Sequence, residues 1–141
     1  MSELSDWWEE NLINYMVNGG AAGGHDVVYV ALYTATPTDT GGGTEVTGGA
    51  YARQAIYDSA DTHTVKWGAA AATGTAFAAK NAATVTFPTA TAAWGDVKAF
   101  ALFSHVTTGN YLCFSPLDAT KTVGNGDTLK FTTGNLKLQL S

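Results

Sequence analysis

Short segments of β-forming residues, separated by glycine-rich turns, most constrain how this chain of 141 residues can fold. The clearest segment is 27–34, which is rich in β-branched and aromatic residues. Val28, Val30 and Leu32 fall on one face of this segment, and the opposite face is also largely apolar. A strand that is apolar on both faces is typical of a central position in a sheet. We therefore predict that 27–34 forms a central, covered strand.

The remaining β-like segments are shorter and are spaced at near-regular intervals. They are residues 50–57, a weaker one at 62–67, and then 84–87, 96–104, 110–115, 121–123, 128–131 and 136–140. Between them we expect a long loop at 35–49, and the alanine-rich stretch 68–83 is interpreted as a loop with an irregular edge strand. This pattern predicts a mainly β fold, a single antiparallel β-sandwich (Ig-like or jelly-roll-like) of about eight strands, with a small barrel as the alternative. A repeat of fixed period is not found, which argues against a solenoid.

One N-terminal amphipathic helix is predicted over residues 3–17. Its large apolar side chains recur at steps of three and four residues and form one stripe, which consists of Leu4, Trp8, Leu12 and Tyr15 or Met16. Asn18-Gly19-Gly20 is a typical end signal, because asparagine and glycine accept the left-handed conformation at a helix end. We accordingly divide the chain into a helix and connector at 1–20 and a β-sandwich domain at 21–141, within one structural unit.

The charge pattern excludes several classes of partner. Twelve acidic residues against seven basic ones give a formal net charge of −5. The six lysines and the single arginine, Arg53, are scattered, whereas a nucleic-acid interface needs clustered basic residues. The acidic N-terminus is unlike a signal peptide, and no stretch approaches the roughly 20 apolar residues of a membrane span. We expect no nucleic acid, no membrane contact and no secretion.

Candidate chemical groups are sparse, and each has a plain structural interpretation. Cys113 lies in an apolar strand and is expected to be a buried, inert thiol. The three histidines, His25, His63 and His105, lack the close spacing of a zinc site. Asp39 to Glu45, and Asp58 with Asp61, are weak calcium candidates that we interpret as solvated turns. We predict no catalytic residue, no cofactor and no metal ligand.

Trp7 and Trp8 are the most informative side chains of the helix. Neighbouring helical positions point about 100° apart, so one buried face cannot accommodate both rings. Trp8 belongs to the apolar stripe and Trp7 lies at its flank. Two interpretations follow: Trp7 packs at the rim of its own domain, or it contacts another subunit, since tryptophan is enriched in interface hot spots. The candidate interface residues are Trp7, Trp8, Leu12 and Tyr15.

Several segments together resemble a known family. They are Leu-Ser-Asp-Trp-Trp-Glu-Glu-Asn-Leu-Ile from residue 4, Val-Tyr-Val-Ala-Leu-Tyr-Thr-Ala-Thr-Pro from residue 28, Gly-Gly-Ala-Tyr-Ala-Arg-Gln-Ala-Ile from residue 48, Val-Thr-Phe-Pro-Thr-Ala-Thr-Ala-Ala-Trp-Gly from residue 85, and Thr-Val-Gly-Asn-Gly-Asp-Thr-Leu-Lys-Phe from residue 122. In this order they resemble small virion proteins of tailed bacteriophages that are often labelled phage tail fibre proteins. Residues 58–83 are longer and richer in alanine than that pattern.

The resemblance implies a non-enzymatic structural protein of a virion, assembled in the host cytoplasm. Because a fibre shaft needs repeats or a coiled coil, we favour a capsid decoration (cement) protein that stabilises the outer shell. The alternative is a tail fibre or baseplate component that binds a host receptor, with a host-surface glycan contacting loops 35–49 and 68–83. A polysaccharide hydrolase is a third, weaker hypothesis. The expected partners are the major capsid protein or tail and baseplate proteins, together with further copies of the chain.

Overall fold

A computed structural model describes residues 12–15, 17, 26–74 and 76–140. Residues 12–15 and 17 are helical, and we call this element α1. The described residues also form ten strands: β1 (Val27–Ala35), β2 (Thr44–Glu45), β3 (Gln54–Tyr57), β4 (Ala71–Thr73), β5 (Ala76–Lys80), β6 (Val85–Thr86), β7 (Gly95–Phe103), β8 (Tyr111–Val123), β9 (Lys130–Phe131) and β10 (Lys137–Leu140). The predicted mainly β, antiparallel fold with one short N-terminal helix is confirmed. In the part of the chain that the structure describes, no helix has the length and apolar character needed to cross a membrane.

The chain forms two compact units from interleaved segments. Unit 1 comprises Met1–Val28, Ile56–Val85 and Phe131–Ser141, and unit 2 comprises Tyr29–Ala55 and Thr86–Lys130. The boundary predicted at residue 20 lies outside the described residues, so that division stays a prediction.

Unit 2 is organised by strands β1 and β7. The sheet has the order β2-β1-β7-β8, and β3 pairs with β1. Tyr29 of β1 lies opposite Phe103 of β7, and Tyr33 lies opposite Ala99. The central position predicted for 27–34 is therefore correct, and Val28, Val30 and Leu32 are fully buried.

Strand β8 merges two segments that the sequence pattern separates. Residues 110–115 and 121–123 were expected as distinct strands, but Tyr111–Val123 is continuous. β8 lies at the edge of its sheet, where Pro116 is tolerated because its missing N–H need not serve a neighbouring strand. In the pairing with β7, Ala99 lies opposite Pro116 and Val97 lies opposite Lys121. β8 therefore has more residues than β7 between these two pairs, and they form a bulge.

In unit 1, the alanine-rich stretch 68–83 differs from its prediction. It contains the hairpin β4–β5, and β5 is the central strand of the order β10-β5-β4. The turn uses Gly74 with φ of +66°. Alanine and threonine show no alternation of apolar and polar side chains here, so the pairing of β5 with the final strand is not visible in the local sequence. By contrast, the predicted strand 62–67 is reduced to isolated bridges at Lys66 and Trp67.

The buried face of α1 also differs from its prediction. Ile13 and Val17 are buried, whereas Leu12 and Tyr15 are 36% and 45% exposed. Apolar residues occupy more than one face of this helix. The spacing of the largest side chains predicts that Leu12 and Tyr15 face the core, whereas Ile13 and Val17 do so. The physical reason is that the i, i+4 pair Ile13 and Val17 satisfies the same helical spacing.

Asn81, the one polar side chain that is buried among the described residues, organises the end of unit 1. Its amide nitrogen donates to the carbonyl oxygens of Ala83 (2.8 Å), Thr132 (3.0 Å) and Phe131 (3.2 Å). Its amide oxygen accepts the Leu136 N–H at 2.9 Å. Since Asn81 is only 1% exposed, these bonds replace those that water would make with the segment before β10.

We predict that Asn81→Ala lowers the free energy of unfolding by about 2–4 kcal/mol, because it leaves buried backbone groups without partners. Urea denaturation of the purified chain measures this loss. Asn135→Ala is the matched control, since Asn135 is exposed and its side-chain amide donates to the exposed Thr132 Oγ1. An equal loss for both variants would contradict the role of Asn81.

Candidate functional site

A left-handed turn in unit 2 directs the side chains that build the candidate site. Residues 48–50 all have positive φ, and the Tyr51 N–H donates to the Gly48 carbonyl at 2.9 Å. At Gly49, a Cβ would lie 2.8 Å from the Ala92 carbonyl oxygen, so a larger residue does not fit. The Trp94 indole N–H donates to the Gly49 carbonyl oxygen at 2.9 Å and fixes the turn from outside.

Tyr51 connects this turn to strands β1 and β2. Its hydroxyl donates to Glu45 Oε1 and accepts the Leu32 N–H, both at 2.9 Å. The ring stacks on Phe87, with 6.3 Å between ring centroids, and meets Trp94 edge-on at 5.5 Å. Burial raises the pKa of Tyr51, so its hydroxyl stays protonated and acts as a donor to the carboxylate.

Arg53 forms the centre of the site. Its Nε and Nη2 donate to the two oxygens of Glu45, each at 2.8 Å, in a bidentate pair. Its Nη1 donates to the carbonyl oxygens of His105 and Thr108, each at 3.0 Å. The guanidinium carbon lies 3.7 Å from the centroid of the Phe103 ring. The Glu45 hydrogen bonds raise the pKa of Arg53 further, so the pair is a permanent ionic contact.

The two carbonyl groups that accept hydrogen bonds from Arg53 belong to a short loop between β7 and β8. We call it the clamped loop (residues 104–110). The Asn110 N–H donates to Ser104 Oγ at 2.8 Å, and the Ser104 N–H donates to the Asn110 carbonyl at 3.1 Å. Gly109 has φ of +83°, and a Cβ there would lie 2.6 Å from Ser104 Oγ. The loop is therefore closed by its own bonds as well as by Arg53.

The tip of the clamped loop presents an apolar side chain to the outside. Val106 is 39% exposed, and Thr107 and Thr108, which follow it, are also exposed. An ordered loop loses little conformational entropy when it binds, because it is already held in one conformation. A fixed loop with an exposed apolar tip is suited to contact another macromolecule.

An aromatic group lies beside the clamped loop on the same sheet. Phe103, Tyr111 and Phe114 are partly buried and pack against a floor of small and buried residues that includes Ala31, Ala99 and Ala101. The Phe103 and Tyr111 centroids are 5.7 Å apart. The Tyr111 hydroxyl donates to the Thr38 carbonyl at 3.0 Å, which joins residues of the long loop 35–49 to this surface.

The weak calcium candidates have structural roles in the described residues. The Glu45 carboxylate is occupied by Arg53 and Tyr51. The carboxylates of Asp58 and Asp61 accept the backbone N–H groups of Ala60 and His63, each at 2.7 Å. Hydrogen bonds from His63 lower the pKa of the Asp61 carboxyl. The bond from the backbone N–H has the larger effect, and the bond from the imidazole ring has the smaller one. Among the residues with described positions, no group of three or more His, Cys, Asp or Glu side chains is arranged to hold a metal ion.

Cys113 is partly buried in β8, and its burial raises the pKa of the thiol to about 11. At neutral pH such a thiol holds almost no thiolate, which is the reactive form. The predicted burial of Cys113 is found only in part, and its lack of reactivity stays a prediction.

The predicted interface residues are placed only in part. Leu12 and Tyr15 are exposed on α1. Trp7 and Trp8 lie outside the described residues, as does His25. The interface role of Trp7, Trp8, Leu12 and Tyr15 therefore stays a prediction.

Neither Arg53 nor the clamped loop is predicted as a site from the sequence, and Glu45 is predicted only as part of a weak calcium candidate. Arg53 is the only arginine in the chain, and this was the one available signal. Its partners at positions 105 and 108 are more than 50 residues away and contribute backbone atoms, which carry no sequence signal.

We predict that Arg53→Lys loosens the clamped loop, because an ammonium group cannot reproduce the bidentate pair and both carbonyl contacts. The free energy of unfolding should fall by about 1–3 kcal/mol. Hydrogen exchange at the amides of Ser104 and Asn110 should accelerate. Lys98→Ala, at an exposed position of β7, is the control and should leave that exchange unchanged; unchanged exchange in Arg53→Lys itself would show that Arg53 does not hold the loop.

Comparison with known proteins adds the family. A search of curated proteins found no match to this chain. A family model described as "Podophage GP4 fiber I protein gp80" matches residues 3–139. That match spans both units and the clamped loop. The chain therefore belongs to the Podophage GP4 fiber I protein gp80 family, a family of phage virion proteins of the fibre type.

Proposed function

We propose that this chain is a non-catalytic structural component of a phage tail fibre, and that the clamped loop is one of its contact surfaces. The family description favours the fibre alternative of the sequence analysis over capsid decoration. The main support for a contact surface is the arrangement of Arg53. This side chain donates four hydrogen bonds, two to Glu45 and two to the backbone of the loop.

This arrangement suits recognition better than catalysis. The Arg53 and Glu45 charges neutralise each other, and the Glu45 carboxylate also accepts the Tyr51 hydroxyl. His105 Nδ1 accepts the Thr107 N–H at 3.3 Å within the loop. The polar groups around the loop are therefore engaged in holding its shape, and the exposed tip offers Val106 and threonine side chains to a partner.

The partners that we infer are other virion components, in particular tail or baseplate proteins and further copies of the chain. Assembly would occur in the host cytoplasm, before the particle is released. The compact β units carry no repeat of fixed period, so the chain would be a folded module of the fibre rather than a repetitive shaft.

Immunogold labelling of intact particles tests the location. We expect gold at the tail or its appendages in electron micrographs. Label spread over the capsid surface would instead support the decoration hypothesis. A phage whose copy of the chain carries a small epitope after the final residue provides the antibody target, and the unlabelled parent phage is the control.

The contact role of the clamped loop has its own test. We predict that Val106→Asp lowers either incorporation into particles or adsorption to host cells about tenfold, because a charge placed at an apolar contact must be desolvated. The purified variant should unfold at the same urea concentration as the parent, because Val106 is exposed. Asn125→Asp adds the same charge on the exposed turn at 124–127 and is the matched control. Full incorporation and adsorption of Val106→Asp would remove the loop from the contact surface.

A further inference from the structure

A four-residue turn between β8 and β9, residues 124–127, carries the exposed pair Asn125-Gly126. The Asp127 N–H donates to the Gly124 carbonyl oxygen at 3.1 Å and closes this turn. Gly126 has φ of +88°, whereas Asn125 does not have a positive φ, which is the pattern of a type II turn. The third position of such a turn favours glycine, and this places an asparagine directly before a glycine.

An asparagine that precedes a glycine is open to one specific reaction, the deamidation of its side chain. The backbone nitrogen of the glycine attacks Cγ of the asparagine, its proton passes to water, and the Cγ–Nδ2 bond breaks with release of ammonia. Water then opens the resulting five-membered succinimide ring at either carbonyl and leaves aspartate or isoaspartate. The reaction consumes water, releases ammonia and needs no other reagent. Glycine permits the attack because it has no Cβ to obstruct the ring.

The surroundings of the pair leave room for this reaction. Asn125 and Gly126 are both exposed to solvent. Apart from the two adjacent residues, no atom lies within 4 Å of the position that a Cβ would take at Gly126. Water therefore has access to the turn, and no neighbouring side chain blocks the closure of the ring.

The fold nevertheless engages the nitrogen that must attack. The Gly126 N–H donates to the Ala90 carbonyl oxygen at 2.7 Å, and the Ala90 N–H donates to the Asp127 carbonyl oxygen at 2.8 Å. The Asp127 carboxylate also accepts the Gly124 N–H at 2.8 Å. A hydrogen-bonded amide loses its proton to solvent only when its segment opens, as native-state hydrogen exchange shows. The attacking nitrogen must lose the same proton, so the closed turn is unreactive.

We propose that Asn125 is a site of spontaneous deamidation, and that opening of the turn 124–127 away from Ala90 controls the rate. The rate in the folded chain is then the rate in the unfolded chain multiplied by the fraction of time that the turn is open. Isoaspartate adds a methylene group to the backbone and so shifts Gly126 relative to Asp127, which disrupts their paired bonds with Ala90. The modification thus makes a transient opening permanent. This inference is independent of where in the particle the chain lies.

Peptide mapping of the purified full-length chain measures the reaction, because Asn125 is the only asparagine of the tryptic peptide 122–130. Mass spectrometry follows deamidation at mildly alkaline pH, in buffer and in guanidinium chloride. We expect the reaction in denaturant, and a rate in buffer that is lower by about the protection factor of the Gly126 amide in hydrogen exchange. No reaction in denaturant overturns the site. Equal rates in the two conditions, or a ratio that does not follow the protection factor, overturn the control by the turn.

Asp127→Ala tests the control by the turn in the folded chain. The variant removes the acceptor of the Gly124 N–H, so the turn should open more often, and the rate in buffer divided by the rate in denaturant should rise about two- to tenfold. This ratio cancels the direct effect of the lost charge on the chemistry, because the denatured variant has lost the same charge.

Asp118→Ala is the matched control, since it removes a carboxylate at an exposed position of β8 outside the turn. Its ratio should equal that of the parent chain. An unchanged ratio for Asp127→Ala, or an equal rise in both variants, overturns the proposal.

Discussion

The bidentate ion pair between Arg53 and Glu45 is the interaction on which the candidate site depends. Its side chains are only 9% and 24% exposed, so separating them would leave charges in a partly dry environment. The pair is stabilised further by the Tyr51 hydroxyl and by the Phe103 ring beneath the guanidinium. Its geometry determines where the two carbonyl oxygens of the clamped loop must lie. Arg53, which is held by Glu45, therefore fixes the conformation of the exposed loop 104–110.

In unit 1, a neutral side chain fixes a backbone segment by hydrogen bonds, as Arg53 does in unit 2. Asn81 satisfies three carbonyl oxygens and one N–H around the segment that leads into the last strand. Strands β4 and β5 are mainly alanine, and small side chains bury little apolar area. The fully satisfied hydrogen bonds of Asn81 add specificity to this part of the fold, beside the large buried side chains of Trp67 and Leu136.

Much of the β architecture could be predicted from the sequence, and the failures have physical causes. The segment 27–34 is recognisable because it is rich in β-branched and aromatic residues and is apolar on both faces. The hairpin β4–β5 was missed because alanine has no strong preference for a strand, and its partner β10 lies about 60 residues further along the chain. The buried face of α1 was misassigned because Leu12 and Ile13 satisfy helical spacing equally well. The clamped loop could not be found at all, since Arg53 contacts its backbone rather than its side chains.

The fibre-type family and the compact fold together shift the functional interpretation. The absence of a repeat favours a capsid decoration protein when the sequence is considered alone, yet a fibre module can also be assembled from compact β units through specific contacts. In the function that we propose, the clamped loop is one surface for such contacts. A cryo-electron microscopy reconstruction of the mature particle tests this account most directly. It should place the chain in the tail, with Val106 and its neighbouring threonines covered by an adjacent protein. Density for the chain on the capsid shell, or a clamped loop that faces solvent in every copy, would contradict it.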